Sequence, residues 1–152
     1  MTHIIDYEDR YEDQFSRLNR DWLEKYGLME SHDLKILEDP RGTILNKGGF
    51  IYLAAGPAGE IIGTAALVKG GEHEFELAKM AVAPAFQGRG ISKLLMEKCL
   101  EKARESGAKK ITLYSNSRLE KALKLYARYG FIPVSAAGSP FVTADVKMEL
   151  QF

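Results

Sequence analysis

The loop from Gln87 to Ser92 has the residue types expected of an anion-binding loop. It follows an apolar segment with strand character, contains Gly88 and Gly90, and leads into a stretch whose apolar residues recur at helical spacing. Glycines let backbone amides approach a ligand closely, and the first N–H groups of a helix have no internal acceptor. Arg89 can add a charge-assisted contact. The pattern therefore indicates a phosphate-binding loop, although Gly-x-Gly also occurs in tight turns that bind nothing.

The spacing of apolar residues predicts the elements around this loop. Apolar positions three or four apart indicate helices, and alternating or short continuous apolar runs bounded by glycine or proline indicate strands. The predicted helices are residues 9–26, 29–38, 91–106 and 118–129, and the predicted strands are residues 4–5, 50–55, 61–68, 74–82, 110–115, 131–134 and 145–150. Helix 29–38 is predicted to stop at Asp39-Pro40, because the residue before proline disfavours helical angles, and residues 41–49 to form a loop.

The order of these elements predicts an α/β fold of mixed α+β character. Three strands joined by glycine turns between residues 50 and 82 indicate an antiparallel meander. The segment from Gly88 to Gly107 then makes one β-α-β crossover, with helices on the faces of a mixed sheet. A chain of 152 residues with 45% apolar residues can bury one ordinary core, so residues 1–152 are predicted to be a single domain.

Charge and cysteine content narrow the classes of function. The 21 basic and 21 acidic residues cancel, which argues against a nucleic-acid binder that relies on a positive field. No apolar stretch approaches the ~20 residues that span a bilayer, and the N-terminus lacks the pattern of a signal peptide. The single cysteine, Cys99, cannot form an internal disulfide, and His3, His32 and His73 lack metal-ligand spacing. We therefore expect a cytoplasmic protein that holds no metal and binds neither nucleic acid nor a membrane.

Two motifs resemble the signature sequences of the GNAT superfamily of N-acetyltransferases. Residues 78–82 followed by Gln87–Ser92 are similar to its acetyl-CoA motif, Gln/Arg-x-x-Gly-x-Gly/Ala, with serine at the last place. Residues 125–131 are similar to its tyrosine-x-x-x-glycine-phenylalanine signature, and the order of elements agrees over nearly the whole chain. The resemblance implies a mostly antiparallel sheet of about six or seven strands, flanked by helices and splayed between the fourth and fifth strands.

The same resemblance implies acetyl-CoA as co-substrate, lying in the splay. Backbone groups of Met80 and Val82 would bind the pantetheine arm, and the glycine loop would hold the pyrophosphate. The loop residues implied in this contact are Gln87, Gly88, Arg89, Gly90, Ile91 and Ser92. Asn116 follows the fifth strand in a Ser-Asn pair that some relatives share, so it is a candidate CoA contact, with a turn or cap role equally plausible.

Tyr126 and Glu76 are the catalytic candidates. An alkyl amine has a pKa of about 10.4, so it must lose a proton before it attacks a thioester, and the departing thiolate needs one. The resemblance assigns the general-acid role to Tyr126, whereas periodicity alone would make it an aromatic on the apolar stripe of a helix. Glu76 stands six residues before Val82, where some relatives have a catalytic glutamate. An ordinary strand carboxylate, Glu74 as a weaker substitute, and an ordered water remain open alternatives.

The function that the resemblance implies is transfer of an acetyl group from acetyl-CoA to a primary amine of a small molecule or peptide by direct attack in a ternary complex. Residues 1–40, with 11 acidic against 5 basic residues, would help to form the acceptor wall, which suggests a cationic amine. A homodimer is possible, since dimers are frequent among relatives. The alternative is a non-catalytic module that binds or senses acyl-CoA. A nucleotide such as ATP is a third interpretation, although the Gly-Lys-Ser/Thr ending of a P-loop is absent.

Overall fold

A computed structural model describes residues 2–152, so Met1 of the predicted 1–152 domain lies outside the described residues. The strands are β1 (His3–Asp6), β2 (Phe50–Ala55), β3 (Ile61–Lys69), β4 (Glu74–Val82), β5 (Lys110–Ser115), β6 (Ile132–Val134) and β7 (Val146–Gln151). The helices are α1 (Glu12–Lys25), α2 (Ser31–Glu38), α3 (Pro40–Thr43), α4 (Ile91–Glu105) and α5 (Glu120–Arg128). Each predicted strand and helix is therefore present, with ends that differ by up to three residues.

The seven strands form one mixed sheet in the order β1-β2-β3-β4-β5-β7-β6. Every neighbouring pair is antiparallel except β4 and β5, which run parallel because α4 connects them as a crossover. The predicted meander and the single β-α-β unit are confirmed.

Alternating residues of the central strands build a separate core on each face of the sheet. Tyr52 of β2 faces the core beneath α4, whereas Leu53 faces the core formed with α1 and α2. Cys99 is fully buried in the first of these cores, and burial raises the pKa of its thiol to about 12. The thiol therefore packs as a small apolar group.

The sheet is splayed between β4 and β5. Paired residues run from Glu74 opposite Lys110 to Leu77 opposite Leu113, after which the two strands diverge. The C-terminal half of β4, up to Val82, thus keeps its bonds to β3 while its other edge is open. The predicted splay between the fourth and fifth strands is confirmed, and it leaves backbone groups free for a ligand.

A β-bulge in β4 lies at the start of the splay. The β3–β4 register shifts between Thr64, which pairs with Ala81, and Ala66, which pairs with Ala78. Lys79, inside the bulge, has φ +52°, a left-handed conformation that is uncommon for a residue with a side chain. A bulge adds one residue to a strand and so reverses the alternation of its side chains. Side chains after Lys79 therefore point to the opposite face from the one that a regular continuation of the first half of β4 would give them.

Residues 41–49 are not a simple loop, and that prediction is wrong in part. The short helix α3 begins at Pro40, and a 3-10 turn follows at Leu45–Lys47. Proline suits the first position of a helix because its missing N–H needs no partner there. The Asp39 carboxylate also accepts a hydrogen bond from the Gly42 N–H at 3.0 Å. The proline that ends α2 therefore starts the next helix.

Within residues 2–152, no helix has the length and apolar character needed to cross a membrane.

Candidate active site

Two cavities meet where β4 and β5 diverge. The first, which we call the inner pocket, has a volume of about 110 Å³ and lies between the splayed strands and the α1–α2 side of the sheet. The second, the outer groove, has a volume of about 710 Å³ and runs along the start of α4 and the face of α5. The residues that line both cavities are Trp22, Met80, Leu119 and Tyr126. A ligand in the groove can therefore reach a second molecule in the pocket.

The glycine loop forms one end of the outer groove. Gly88 and Gly90 have φ +78° and +77°, which explains why glycine is needed at both positions. Within residues 2–152, the backbone N–H groups of residues 88–93 have no hydrogen-bond acceptor, because they precede or begin α4. The Gln87 amide donates to the Val82 carbonyl at 3.1 Å and so ties the loop to the end of β4. This cluster of free N–H groups suits a phosphate.

The predicted cofactor residues fall largely along this groove. Those that line it are Met80, Val82, Gln87, Gly88, Gly90, Ile91 and Ser92. The Arg89 guanidinium lies over the Phe86 ring, 5.2 Å from its centroid. Arg89 is not among the described residues that line the groove, so its contact with a phosphate stays a prediction. Met80 and Val82 belong to the half of β4 whose outer edge is free, as the pantetheine prediction requires.

Positive charge surrounds the groove. Its charged lining residues are Lys93, Arg118, Lys121, Lys124 and Arg128 against Glu120. The excess of five cations over one anion attracts a ligand that carries several phosphates, and the low dielectric constant of the walls of a cleft strengthens that attraction.

Glu76 lies in the inner pocket. Its carboxylate has no hydrogen-bond partner in the described part of the chain. Burial is the main cause that raises its pKa from an ordinary 4.5 to about 7; the Lys79 ammonium opposes this shift and the Asp33 carboxylate adds to it. Glu74, by contrast, bonds to Lys110 at 3.3 Å on the sheet surface. A buried carboxyl that titrates near neutrality is suited to accept a proton from an amine.

Tyr126 stands at the junction of the two cavities. Its ring packs against Phe131 with centroids 6.1 Å apart, so the two aromatic residues of the second motif support each other. Burial raises the pKa of the Tyr126 hydroxyl to about 12, which keeps the proton on the oxygen at neutral pH. The hydroxyl is therefore available as a proton donor.

Asn116 lines the inner pocket, and its side chain is held by the chain itself. The amide nitrogen donates to the Thr143 carbonyl at 2.7 Å, and the amide oxygen accepts from the Arg118 N–H at 2.9 Å. These bonds match the turn role that the sequence leaves open. Whether Asn116 also contacts CoA stays a prediction.

The segment between β6 and β7 closes one side of the inner pocket. The Glu30 carboxylate accepts hydrogen bonds from the N–H groups of Val142 and Thr143, both at 3.0 Å. Partial burial opposes a fall in the pKa of the Glu30 carboxyl, but a hydrogen bond from the Thr143 hydroxyl and the two backbone bonds lower this pKa below its ordinary value. Phe141 is thereby placed against Tyr114, with ring centroids 5.7 Å apart, and both rings line the pocket.

The chain matches the family described as the Acetyltransferase (GNAT) family over residues 6–131. This chain belongs to the GNAT family. An uncharacterised N-acetyltransferase of Escherichia coli, YjgM, is 30% identical over 141 residues, which cover 88% of this chain and 84% of that relative. An uncharacterised N-acetyltransferase of Mycobacterium tuberculosis is 35% identical over 95 residues, 62% of this chain. That match spans 56% of the mycobacterial protein, so the chain covers little more than half of that relative's length.

Solved GNAT structures share the fold along the full length of the chain. An acetyltransferase of the GNAT family from Staphylococcus aureus superposes with a TM-score of 0.90 at 20% identity, covering 99% of both chains. The PaiA N-acetyltransferase from Thermoplasma acidophilum, solved in complex with coenzyme A, has a TM-score of 0.77 at 17% identity and covers 100% of this chain and 99% of that chain. The family resemblance of the two motifs and the fold class are confirmed.

Sequence reasoning missed one pair of pocket residues in this GNAT chain. Lys79 and Asp33 line the inner pocket and form an ion pair, with 2.5 Å between Nζ and Oδ1. Their side chains are 6% and 4% exposed, so both charges are buried. A lysine within the otherwise apolar run from residue 77 to residue 82 was the available signal. Regular alternation hid it, because without the bulge Lys79 would share the core face of Leu77.

Proposed function

We propose that this GNAT chain is an enzyme that transfers the acetyl group of acetyl-CoA to a primary amine by direct attack. The observation that carries the proposal is the meeting of a cation-rich groove and a small pocket at Tyr126, with Glu76 inside the pocket. The names of its relatives support it, since the E. coli and mycobacterial proteins are named N-acetyltransferases.

The residues of the groove fit acetyl-CoA. The free N–H groups at the start of α4 suit a pyrophosphate, and the open edge of β4 beside Met80 suits the amide groups of pantetheine. The related PaiA protein binds coenzyme A on the same fold. When bound, acetyl-CoA would supply an acetyl thioester with a thiolate leaving group.

The side chains at the junction then divide the proton transfers. Glu76 accepts a proton from the acceptor ammonium, which leaves a free amine able to attack the thioester carbon. Backbone N–H groups on the open half of β4 would stabilise negative charge on the carbonyl oxygen. The Tyr126 hydroxyl donates its proton as the carbon–sulfur bond breaks, so the departing sulfur leaves as a thiol. The resulting phenolate then accepts the second proton from the nitrogen, which leaves a neutral amide and restores the hydroxyl.

Two measurements on one sample test this proposal. The first is release of free thiol from acetyl-CoA across a panel of primary amines, and the second is thermal stabilisation by CoA and by ATP. A ligand at 100 times its dissociation constant stabilises a protein by about 2.7 kcal/mol. We expect amine-dependent thiol release and stabilisation by CoA. Stabilisation by CoA with no thiol release from any amine would favour a binding module, and stabilisation by ATP alone would refute the CoA site.

A further inference from the structure

The charged side chains of the inner pocket can recognise a second group of the acceptor besides its amine. Glu76, Lys79 and Asp33 all line this pocket, and all three side chains are partly or fully buried. Their positions follow from the bulge in β4. Phe75, Leu77 and Val82 all pack in the core beneath α4, so the strand must change alternation between residues 77 and 82. The change brings Lys79 to the same side of the sheet as Glu76.

Both oxygens of the Asp33 carboxylate already accept a hydrogen bond within the chain. Its Oδ1 accepts from the Lys79 ammonium, and its Oδ2 accepts from the Glu30 N–H at 2.9 Å at the start of α2. Although residues 1–40 are acidic overall, Asp33 is the one carboxylate that residues 2–40 contribute to the pocket lining, and it is neutralised by Lys79. The one carboxylate that the N-terminal acidic residues contribute to the pocket is therefore already paired with a cation.

Lys79, by contrast, has donors to spare. An ammonium group has three N–H donors, and within residues 2–152 the Lys79 Nζ bonds to one acceptor, the Asp33 carboxylate. The ammonium also lies over the Phe141 ring, 5.9 Å from its centroid, which is not a hydrogen-bond acceptor of the carboxylate kind. The side chain is 6% exposed and lines the pocket, so the N–H groups without a hydrogen-bond acceptor are buried there. A buried donor without an acceptor is costly, which favours a ligand that supplies one.

We propose that the acceptor is a small amino acid, whose ammonium binds Glu76 and whose carboxylate binds Lys79. This inference rests on the proposed acetyltransferase function and names its acceptor class. An amino acid carries an ammonium and a carboxylate bonded to the same carbon, which matches a carboxylate and an ammonium that lie on one side of one strand. A polyamine matches less well, because its second ammonium supplies no acceptor for the remaining N–H groups of Lys79. The pocket volume of about 110 Å³ is several times the ~10–15 Å³ that one water needs, so the pocket admits a small organic molecule.

The test compares acceptors that differ in the carboxylate alone. The panel pairs alanine with ethylamine and serine with ethanolamine, and adds serine methyl ester, which removes the negative charge of serine and adds one methyl group. We expect kcat/KM for thiol release to be about 10- to 100-fold higher for the amino acid of each pair, the range for a charge-assisted hydrogen bond. Equal or faster reaction of ethylamine and ethanolamine would overturn the inference while leaving the acetyltransferase proposal intact.

A double variant keeps the test independent of folding. Lys79→Met alone would leave a buried Asp33 carboxylate unpaired, so it is combined with Asp33→Asn, whose side-chain oxygen can still accept from the Glu30 N–H. We expect the double variant to react with serine and ethanolamine at rates within about twofold of each other, since the lost interaction is the one that distinguishes them. Lys35→Met, on the exposed face of α2, is the matched control and should keep the wild-type preference. An unchanged preference in the double variant would refute the role of Lys79.

Binding provides a readout that does not depend on turnover. Thermal shift with serine, serine methyl ester and ethanolamine is measured on the wild-type chain without acetyl-CoA and with CoA. Stabilisation by serine alone would support the inference even if no amine released thiol, in which case the proposed acetyl transfer is what fails. Equal stabilisation by all three, or by none, together with no preference in turnover, would overturn it.

Discussion

Replacing Glu76 with glutamine separates the two consequences of burying this carboxyl group. Glu76→Gln keeps the shape of the side chain and removes its ability to accept a proton from the acceptor ammonium. Because Glu76 has no hydrogen-bond partner in the described part of the chain, the substitution breaks no bond of the native fold. We expect a large loss of activity together with a gain in stability at alkaline pH.

The pKa of Glu76 determines the size of the stability effect. Burial raises this pKa from 4.5 to about 7, so the folded chain favours the protonated carboxyl. The favourable contribution is therefore complete below pH 4.5 and is lost as pH rises through about 7. At about 1.4 kcal/mol per pKa unit, the total loss is about 3 kcal/mol, most of it between about pH 5 and pH 8. The glutamine variant should show no such loss, so its stability relative to wild type should rise over this range.

The effect on activity has the opposite dependence on pH. As a general base, Glu76 must be ionised, so kcat/KM of the wild-type chain should rise through about pH 7. The variant should lose about 10²-fold or more in kcat, the usual contribution of a positioned base, and should lack this rising limb.

Urea unfolding at a series of pH values and thiol release with one good acceptor measure the two effects. Glu74→Gln, at the surface ion pair with Lys110, is the matched control and should leave the rising limb in place. An active Glu76→Gln variant with an unaltered pH profile would refute the base assignment. A stability difference that does not change between pH 5 and pH 8 would refute the burial argument itself.

Three further predictions concern Tyr126, Gly90 and Glu30. Tyr126→Phe should lower kcat by about 10-fold or more without weakening CoA binding measured by calorimetry. Tyr129→Phe, outside both cavities, should change neither quantity, and equal kcat in wild type and Tyr126→Phe would refute the general-acid role of Tyr126. Gly90→Ala should cost about 1–2 kcal/mol in urea unfolding because φ is +77°, and should also weaken CoA binding; Gly138→Ala, at φ +80°, should cost similar stability with CoA binding unchanged, and equal CoA affinity in both variants would contradict the loop assignment. Glu30→Gln should speed proteolysis of residues 135–145 at pH 7 but not at acidic pH, because a carboxyl with a lowered pKa stabilises the fold above its ordinary pKa and loses that effect as pH falls through the pKa of the folded state. Equal digestion of wild type and variant at pH 7 would argue against the role of the Glu30 hydrogen bonds in holding this segment.

Local patterns in the sequence predicted the elements and one of the two cavities. Glycines at 88 and 90, followed by helical spacing, indicated the cluster of free N–H groups, since both the left-handed backbone and the unpaired amides arise within a few residues. The splay between β4 and β5 and the place of Tyr126 came from the family resemblance. The short helix at Pro40 was missed because the same proline also ends a helix, and only its capping by Asp39 decides which effect prevails.

The acceptor side of the site was decided by tertiary structure. The sequence alone determined that Glu76 and Lys79 lie on one strand, three residues apart, where regular alternation places them on opposite faces. The bulge that brings both side chains to one side depends on the pairing of β3 with β4. The ammonium of Lys79 is then held by Asp33, 46 residues earlier in the chain, on a helix packed across the pocket. Register and packing act between distant segments, so no local pattern around Lys79 records them.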